Sequence, residues 1–294
     1  MPTKAIEEYR KVLAVKSDGL DQYDEEVRAK ARDAVSRLSA AGSARPESSI
    51  LGSQKDGIVV GRRIALVIGN SRYTDAPRLN NPGTDGRAVA AALRRLGFAE
   101  VNEGYDLGHQ QFREELKAFG DKVASADWAV VYFAGHGIQV NRTNYLIPSD
   151  AKLVRAAHVD DEAIALTYVL SKVEDARQLR LVILDACRAN PFLPRMEQVA
   201  GWRSLGRGLG RVEPQRGVLV AYAARDGQLA EDGKGTHSPF TEALLEHIEE
   251  PNLEIGLLFR KVRDTVLRRT GQVQEPFVYG SLPSEGMYFK KPGQ

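Results

Sequence analysis

The chain has 294 residues, of which 43% are hydrophobic and 27% charged, proportions that are ordinary for a globular protein with a substantial core. Its 41 basic and 39 acidic residues leave a net charge of +2, which supports neither a nucleic-acid nor a membrane partner. The single cysteine, Cys187, excludes an intramolecular disulfide, and no window approaches the roughly 18 apolar residues of a membrane span. We therefore expect a cytoplasmic protein without a signal peptide.

The first 58 residues differ in pattern from the rest of the chain. Apolar residues at helical spacing predict helices within residues 1–40, and residues 40–56, rich in Gly, Ser and Pro, predict a linker. We therefore expect a helical N-terminal appendage and linker over 1–58 and a main domain over 59–294. A regulatory segment and a surface hairpin packed on the main domain both fit this pattern.

From residue 62 onward, apolar runs alternate with amphipathic segments. The runs at 64–68, 128–133, 181–184 and 218–223 lack alternation and predict strands buried on both faces, as in a parallel sheet. The segments 85–96, 110–123 and 255–267 predict helices, and Ser238 followed by Pro239 predicts a further helix start. Gly97 suits the end of the first of these helices. This alternation predicts an α/β sandwich with a central, mostly parallel sheet.

The two most reactive residue types follow two of the predicted strands. His136 lies between two glycines after the second run, and Cys187 comes shortly after the third. If those strands are parallel neighbours, both residues lie at the same sheet edge, where α/β folds place their functional groups. A thiolate is the nucleophile of cysteine chemistry, and an imidazole can take its proton and later protonate a leaving amine. Main-chain N–H groups of Gly137 and Cys187 are candidates for an oxyanion hole.

These motifs resemble those of the caspase-like cysteine peptidases, which include caspases, paracaspases and metacaspases. The matching stretches are YFAGHG at 132–137, LVILDACR at 181–188, PGTDGRAVAAALRRLGF at 82–98 and NYLIPSDA at 144–151. The spacing of 51 residues between His136 and Cys187 is part of the caspase pattern. The resemblance covers about 62–288 and is nearest to the prokaryotic paracaspase- and orthocaspase-like proteases. It implies a caspase-like α/β/α sandwich, with a large-subunit-like part at 59–190, a linker at 191–216 and a small-subunit-like part at 217–294.

The resemblance also assigns roles to residues. It implies that Cys187 is the nucleophile, that His136 is its acid/base partner and that Gly137 contributes to the oxyanion hole. It further implies a substrate pocket, whose members are Asp85, Asp185, Asp232, Tyr222 and Ala223. Animal caspases have Gln at the position of Asp185, and use arginines to hold a substrate aspartate. Carboxylates attract a cation instead, and a planar guanidinium can bind two of them, so we expect cleavage after Arg, with Lys second.

Two further expectations concern regulation. The loop 188–216 is rich in arginine, and in caspases the corresponding linker is cut on activation; self-cleavage at Arg203, Arg207, Arg211 or Arg216 would make the chain a zymogen. A merely solvated basic loop is the alternative. Some metacaspases bind Ca²⁺ through aspartates beyond the histidine, and Asp150, Asp160 and Asp161 resemble that arrangement. The default expectation is nevertheless that the protein needs no cofactor and that this stretch is a solvated acidic loop.

The expected partner is a protein or peptide substrate, in a regulatory or defence role. An activating protein or protease and a homodimer are both compatible with the sequence. Two other functions stay open: a catalytically silent interaction protein on the same fold, and a thiol hydrolase or transpeptidase that acts on a non-protein or amine acceptor.

Overall fold

The computed structural model describes residues 61–187, 191–192, 205–206, 209, 217–225, 230, 232–233, 235–282 and 284–291. All of them belong to one compact unit within Val59–Gln294. The predicted helical appendage over 1–58 lies outside the described residues, as does most of the predicted linker over 191–216.

The described elements alternate between strand and helix over most of the chain. In chain order they are β1 (Arg63–Gly69), α1 (Pro82–Arg95), β2 (Glu100–Tyr105), α2 (His109–Val123), β3 (Trp128–Val140), β4 (Thr143–Leu146), a 3₁₀ turn (Ala156–His158), α3 (Val159–Glu162), β5 (Ile164–Ala165), α4 (Leu166–Ser171), β6 (Leu179–Cys187), β7 (Leu205–Gly206), β8 (Val218–Tyr222), α5 (Pro239–His247), α6 (Ile255–Arg269) and β9 (Phe277–Gly280). In the main sheet the strand order is β2-β1-β3-β6-β8-β9. Neighbouring strands in that order are parallel, except that β9 is antiparallel to β8.

Helices cover both faces of this sheet. Successive residues of a strand point to opposite faces, so in β1 Ala65 and Val67 pack on the side of α1, α5 and α6. Ile64, Leu66 and Ile68 pack on the side of α2 and α4. This is the predicted α/β/α sandwich, and the apolar runs without alternation are its doubly buried strands. In the described part of the chain, no helix has both the length and the apolar character that crossing a bilayer requires.

Strand β3 is longer than the sequence pattern predicts. The apolar run predicts a strand over 128–133, which ends before the glycines around His136, but the strand continues to Val140. The second half of β3 pairs with β4, and Gly137 is the register partner of Leu146. Because of this pairing, the backbone does not turn away from the sheet after His136. Gly135 is nonetheless required, because its φ is +155° and a Cβ there would lie 2.5 Å from the Tyr73 hydroxyl oxygen.

The helix boundaries position two residues of interest. Helix α1 begins at Pro82, three residues earlier than predicted, so Asp85 lies in its first turn, and Gly97 follows its end with a φ of +79°. Helix α5 begins where predicted. The Ser238 hydroxyl caps it by accepting a hydrogen bond from the Thr241 N–H.

Candidate active site

The backbones of the two predicted catalytic residues are adjacent. Strands β3 and β6 are parallel neighbours, and His136 is the register partner of Cys187. Neighbouring strands lie about 4.8 Å apart, so the prediction that both residues meet at one sheet edge is confirmed for the main chain. Gly137, the next residue of β3, lies within the same edge and pairs with β4.

His136 is held in a single orientation by three contacts. Its main-chain N–H donates to the Tyr73 hydroxyl (2.8 Å), and the two rings lie 4.5 Å apart. Its Nε2 lies 2.8 Å from the main-chain oxygen of Pro77. A carbonyl oxygen only accepts, so Nε2 carries the hydrogen in this contact.

The other ring nitrogen of His136 is therefore the acceptor of the neutral imidazole. Nδ1 is buried and has no hydrogen-bond partner among the described residues. Burial lowers the pKa of His136, and the Pro77 carbonyl opposes that shift only in part. A neutral imidazole with an unengaged, buried Nδ1 is suited to take a proton from a neighbouring group.

Three carboxylates from three separate chain segments line one narrow pocket beside His136. Asp85 comes from α1, Asp185 from β6 and Asp232 from the segment before α5. The remaining lining residues are Leu79, Pro82, Ala134, Gly135 and Ser238. The free volume is about 10 Å³, roughly that of one water, so a larger group enters only if a wall moves.

Asp185 forms one wall of this pocket. Its Oδ2 accepts hydrogen bonds from the hydroxyls of Ser238 and Thr241 (2.6 Å for Thr241), with the Tyr132 hydroxyl at 3.5 Å. Burial raises the pKa of Asp185 to about 6, and the hydroxyls of Ser238 and Thr241 limit the rise. These hydroxyls orient the carboxylate without neutralising its charge.

Asp85 is less exposed than Asp185, and its pKa is shifted further from the usual value. Its Oδ1 lies 2.7 Å from Nδ1 of His237, and its Oδ2 accepts the Ser238 N–H at 3.3 Å. Burial first, and then the charge of Asp185, raise the pKa of Asp85 to about 8. Two like charges in a buried pocket disfavour each other, so a cation placed between them would be attracted.

Asp232 is held by the start of α1. Its two carboxylate oxygens accept the main-chain N–H groups of Asn80 (2.7 Å) and Asn81 (3.3 Å). The positive end of a helix favours such a carboxylate. The three acids predicted from the resemblance thus lie together, and Ser238 is a shared partner of Asp85 and Asp185.

Several residues of this site had no predicted role. Pro77, Tyr73 and Thr241 lie in no motif, Tyr132 begins the YFAGHG motif without a role of its own, and Ser238 was predicted only as a helix start. His237, which no sequence motif singles out, contacts Asp85. It is 152 residues from Asp85 in the sequence, so no local spacing links the two.

Other predicted site residues lie elsewhere or outside the described part. Tyr222 and Ala223 are buried in the core, and the Ala223 N–H donates to the carbonyl of Leu184. The acids of the candidate calcium site have separate partners: Asp150 accepts the N–H of His109, and Asp160 accepts the Tyr145 hydroxyl. Asp161 lies in α3, and across the described residues no group of three or more His, Cys, Asp and Glu is placed to hold a metal ion. The proposed processing sites Arg203, Arg207, Arg211 and Arg216 lie outside the described residues.

Comparison with known families agrees with this fold. Residues 62–286 match the family described as "Caspase domain", and the chain belongs to that family. This confirms the predicted resemblance to caspase-like proteins.

The similar proteins include a paracaspase. The chain is 26% identical over 127 residues to the human "Mucosa-associated lymphoid tissue lymphoma translocation protein 1". The matched region is 43% of this chain and 15% of that protein. The mouse homolog is 25% identical to the chain over the same shares. It is 24% identical over 195 residues to "Paracaspase" of Dictyostelium discoideum, 64% of this chain and 44% of that protein. The chain therefore spans less than half the length of each of these relatives.

Proposed function

We propose that the protein is a cysteine endopeptidase that cleaves after basic residues, with Arg preferred over Lys. The observation that carries this proposal is the pocket of three carboxylates next to a histidine whose Nδ1 is unengaged among the described residues. Membership of the caspase-domain family supports the thiol chemistry.

In the proposed reaction His136 removes the proton of the Cys187 thiol through Nδ1. The thiolate attacks the scissile carbonyl carbon, and the oxyanion is stabilised by the main-chain N–H groups of Gly137 and Cys187. His136 then gives the proton to the leaving amine, which leaves a thioester on Cys187. Water, deprotonated by His136, hydrolyses the thioester and regenerates the thiol. The Pro77 carbonyl keeps the hydrogen on Nε2 and so keeps Nδ1 available for both transfers.

The acid pocket is proposed to bind the side chain on the N-terminal side of the cut bond, the P1 residue. Desolvated carboxylates form charge-assisted hydrogen bonds with a guanidinium and repel an aspartate. We expect Arg to be preferred over Lys at P1, because its planar guanidinium reaches Asp85 and Asp185 at once. Because the pocket is narrow, we infer that binding of arginine separates its walls.

The first test is cleavage of three matched fluorogenic tetrapeptides that end in Arg, Lys or Asp. We expect cleavage after Arg, weaker cleavage after Lys, no cleavage after Asp, and no cleavage by Cys187→Ala. Parallel reactions with Ca²⁺ or with chelator test the calcium prediction, and the mass of the chain before and after incubation tests self-processing.

Cleavage after Asp would refute the pocket assignment. No cleavage of any peptide by the wild type, even after treatment with a trace of trypsin, would favour a catalytically silent protein. Transfer of the acyl group from Cys187 to an added amine, with release of the thiol, would favour a transpeptidase.

The pocket itself is tested by removing one charge. Asp85→Asn keeps the shape of the side chain, and we expect KM for the Arg peptide to rise about 10- to 100-fold, as for a lost charge-assisted hydrogen bond. The control is Asp121→Asn, which changes an exposed acid of α2 on the other face of the sheet. Equal KM values for the two variants would contradict the proposed pocket.

A further inference from the structure

The contact between His237 and Asp85 joins a partly exposed base to a buried acid. The side chain of His237 is 28% exposed and that of Asp85 is 2% exposed, with 2.7 Å between Nδ1 and Oδ1. His237 is not among the residues that line the acid pocket. It therefore contacts Asp85 from outside the space that a substrate side chain would occupy.

The segment that carries His237 is fixed to the helix that carries Asp85. The Thr84 hydroxyl donates to the main-chain oxygen of Thr236 (2.9 Å), and the N–H of Ser238 donates to Oδ2 of Asp85. Residues 236–238 thus pack along the first turn of α1. A shift of this segment would move both the Ser238 N–H and Nδ1 of His237 away from Asp85.

We propose that His237 is a positioning residue that holds the Asp85 carboxylate in the orientation that binds a guanidinium. The inference rests on the proposed function, because it gives His237 a part in recognising the basic P1 residue. The other two acids of this pocket, Asp185 from β6 and Asp232 from the segment before α5, oppose ionisation of Asp85. An ionised carboxylate only accepts hydrogen bonds, so once Asp85 is ionised Nδ1 of His237 is the donor to Oδ1.

The position of the donor explains why histidine suits this site. Nδ1 is the ring nitrogen nearer the main chain, and an asparagine amide reaches about the same point. His237→Asn therefore retains a donor to Oδ1 of Asp85, whereas His237→Ala removes it. The comparison separates the hydrogen bond from the bulk and charge of the ring.

The kinetic test uses the Arg peptide. We expect His237→Ala to raise KM about 5- to 10-fold with kcat within twofold, and His237→Asn to restore KM to within threefold of the wild type. In the Asp85→Asn background, His237→Ala is expected to have no further effect on KM, because the two residues act through one contact. The control is His247→Ala, which removes another histidine–acid contact, with Glu250, at the far end of α5.

A binding test makes the inference independent of peptidase activity. In the Cys187→Ala background, calorimetry measures the affinity for agmatine, a small guanidinium cation. We expect agmatine to bind about 5- to 10-fold more weakly to His237→Ala and near normally to His237→Asn. Agmatine binding with this pattern, but no cleavage by the wild type, would refute the peptidase and retain the role of His237. Unchanged agmatine affinity in His237→Ala, failure of His237→Asn to restore it, or no agmatine binding at all would overturn the inference.

Discussion

At the scale of single residues, the site depends on how His136 is oriented. Its Nε2 faces the Pro77 carbonyl, its main-chain N–H faces the Tyr73 hydroxyl, and its ring lies against the Tyr73 ring. An imidazole is useful as a base only if the correct nitrogen is free, and the Pro77 contact makes that nitrogen Nδ1. The neighbouring Gly135 is necessary because Tyr73 occupies the space that a Cβ would take.

Removal of the Tyr73 hydroxyl should impair catalysis more than binding. Tyr73→Phe keeps the ring but leaves the buried His136 N–H without its acceptor. An unsatisfied buried donor of this kind destabilises the folded site by about 1–3 kcal/mol. We expect kcat for the Arg peptide to fall about 3- to 10-fold with KM within twofold. The control is Tyr145→Phe, which removes a hydroxyl that bonds Asp160 instead. An unchanged kcat in Tyr73→Phe would show that the hydroxyl does not orient the histidine.

At the scale of elements, the start of α5 connects the fold to the pocket. The Ser238 hydroxyl accepts from the Thr241 N–H and donates to Asp185, and the Ser238 N–H donates to Asp85. One residue thus caps a helix and contacts two of the three acids. Helix α6 has a comparable cap, in which the side chain of Glu254 accepts from the Leu257 N–H.

These two caps allow the helix role to be separated from the pocket role. Ser238→Ala and Glu254→Ala should each lower the free energy of unfolding by about 1 kcal/mol, the usual cost of losing a cap. Only Ser238→Ala should also raise KM for the Arg peptide, by about 3- to 10-fold, because Asp185 loses a hydroxyl that orients it. Denaturant unfolding and peptide kinetics measure the two effects. A similar KM change in both variants would show that the effect comes from helix stability alone.

The sequence predicts these elements well and their joint geometry less well. The runs at 64–68 and 181–184 and the Ser238 start are confirmed because burial on both faces and helix capping leave local signals. The continuation of β3 to Val140 was missed, since the glycines around His136 suggest a turn and the pairing with β4 is not local. His237 was missed for the same reason: its partner lies 152 residues away, and a lone histidine has no distinctive pattern.

At the scale of the whole molecule, the sheet brings together acids that are far apart in the chain. Asp85, Asp185 and Asp232 come from α1, from the end of β6 and from the segment before α5, and they share one pocket beside β3. Burying like charges together opposes folding. Under the proposed function, this stability is given up for recognition of a cation, a common relation at functional sites.

The free energy of unfolding should therefore depend on pH through Asp85, in a direction that its raised pKa determines. The pKa of Asp85 is raised from its usual 3.8 to about 8 in the folded protein, so the folded state binds this proton more tightly than the unfolded state does. The stability contributed by the protonated group is complete below pH 3.8 and is lost progressively as the pH rises to about 8. The wild type should consequently lose stability over this range relative to a variant in which the group cannot ionise.

Asp85→Asn is that variant, and its melting temperature should show a difference that grows with pH. At pH 9 we expect Tm to exceed that of the wild type by about 3 °C or more, the shift that corresponds to roughly 1 kcal/mol for a domain of this size. At about pH 3, Asp85 is neutral in both the folded and the unfolded protein, as asparagine always is, and the two Tm values should agree within about 1 °C. Asp121→Asn, on the exposed face of α2, should match the wild type at both pH values. A stabilisation by Asp85→Asn that is equal at both pH values would mean that packing, and not the buried charge, explains the difference.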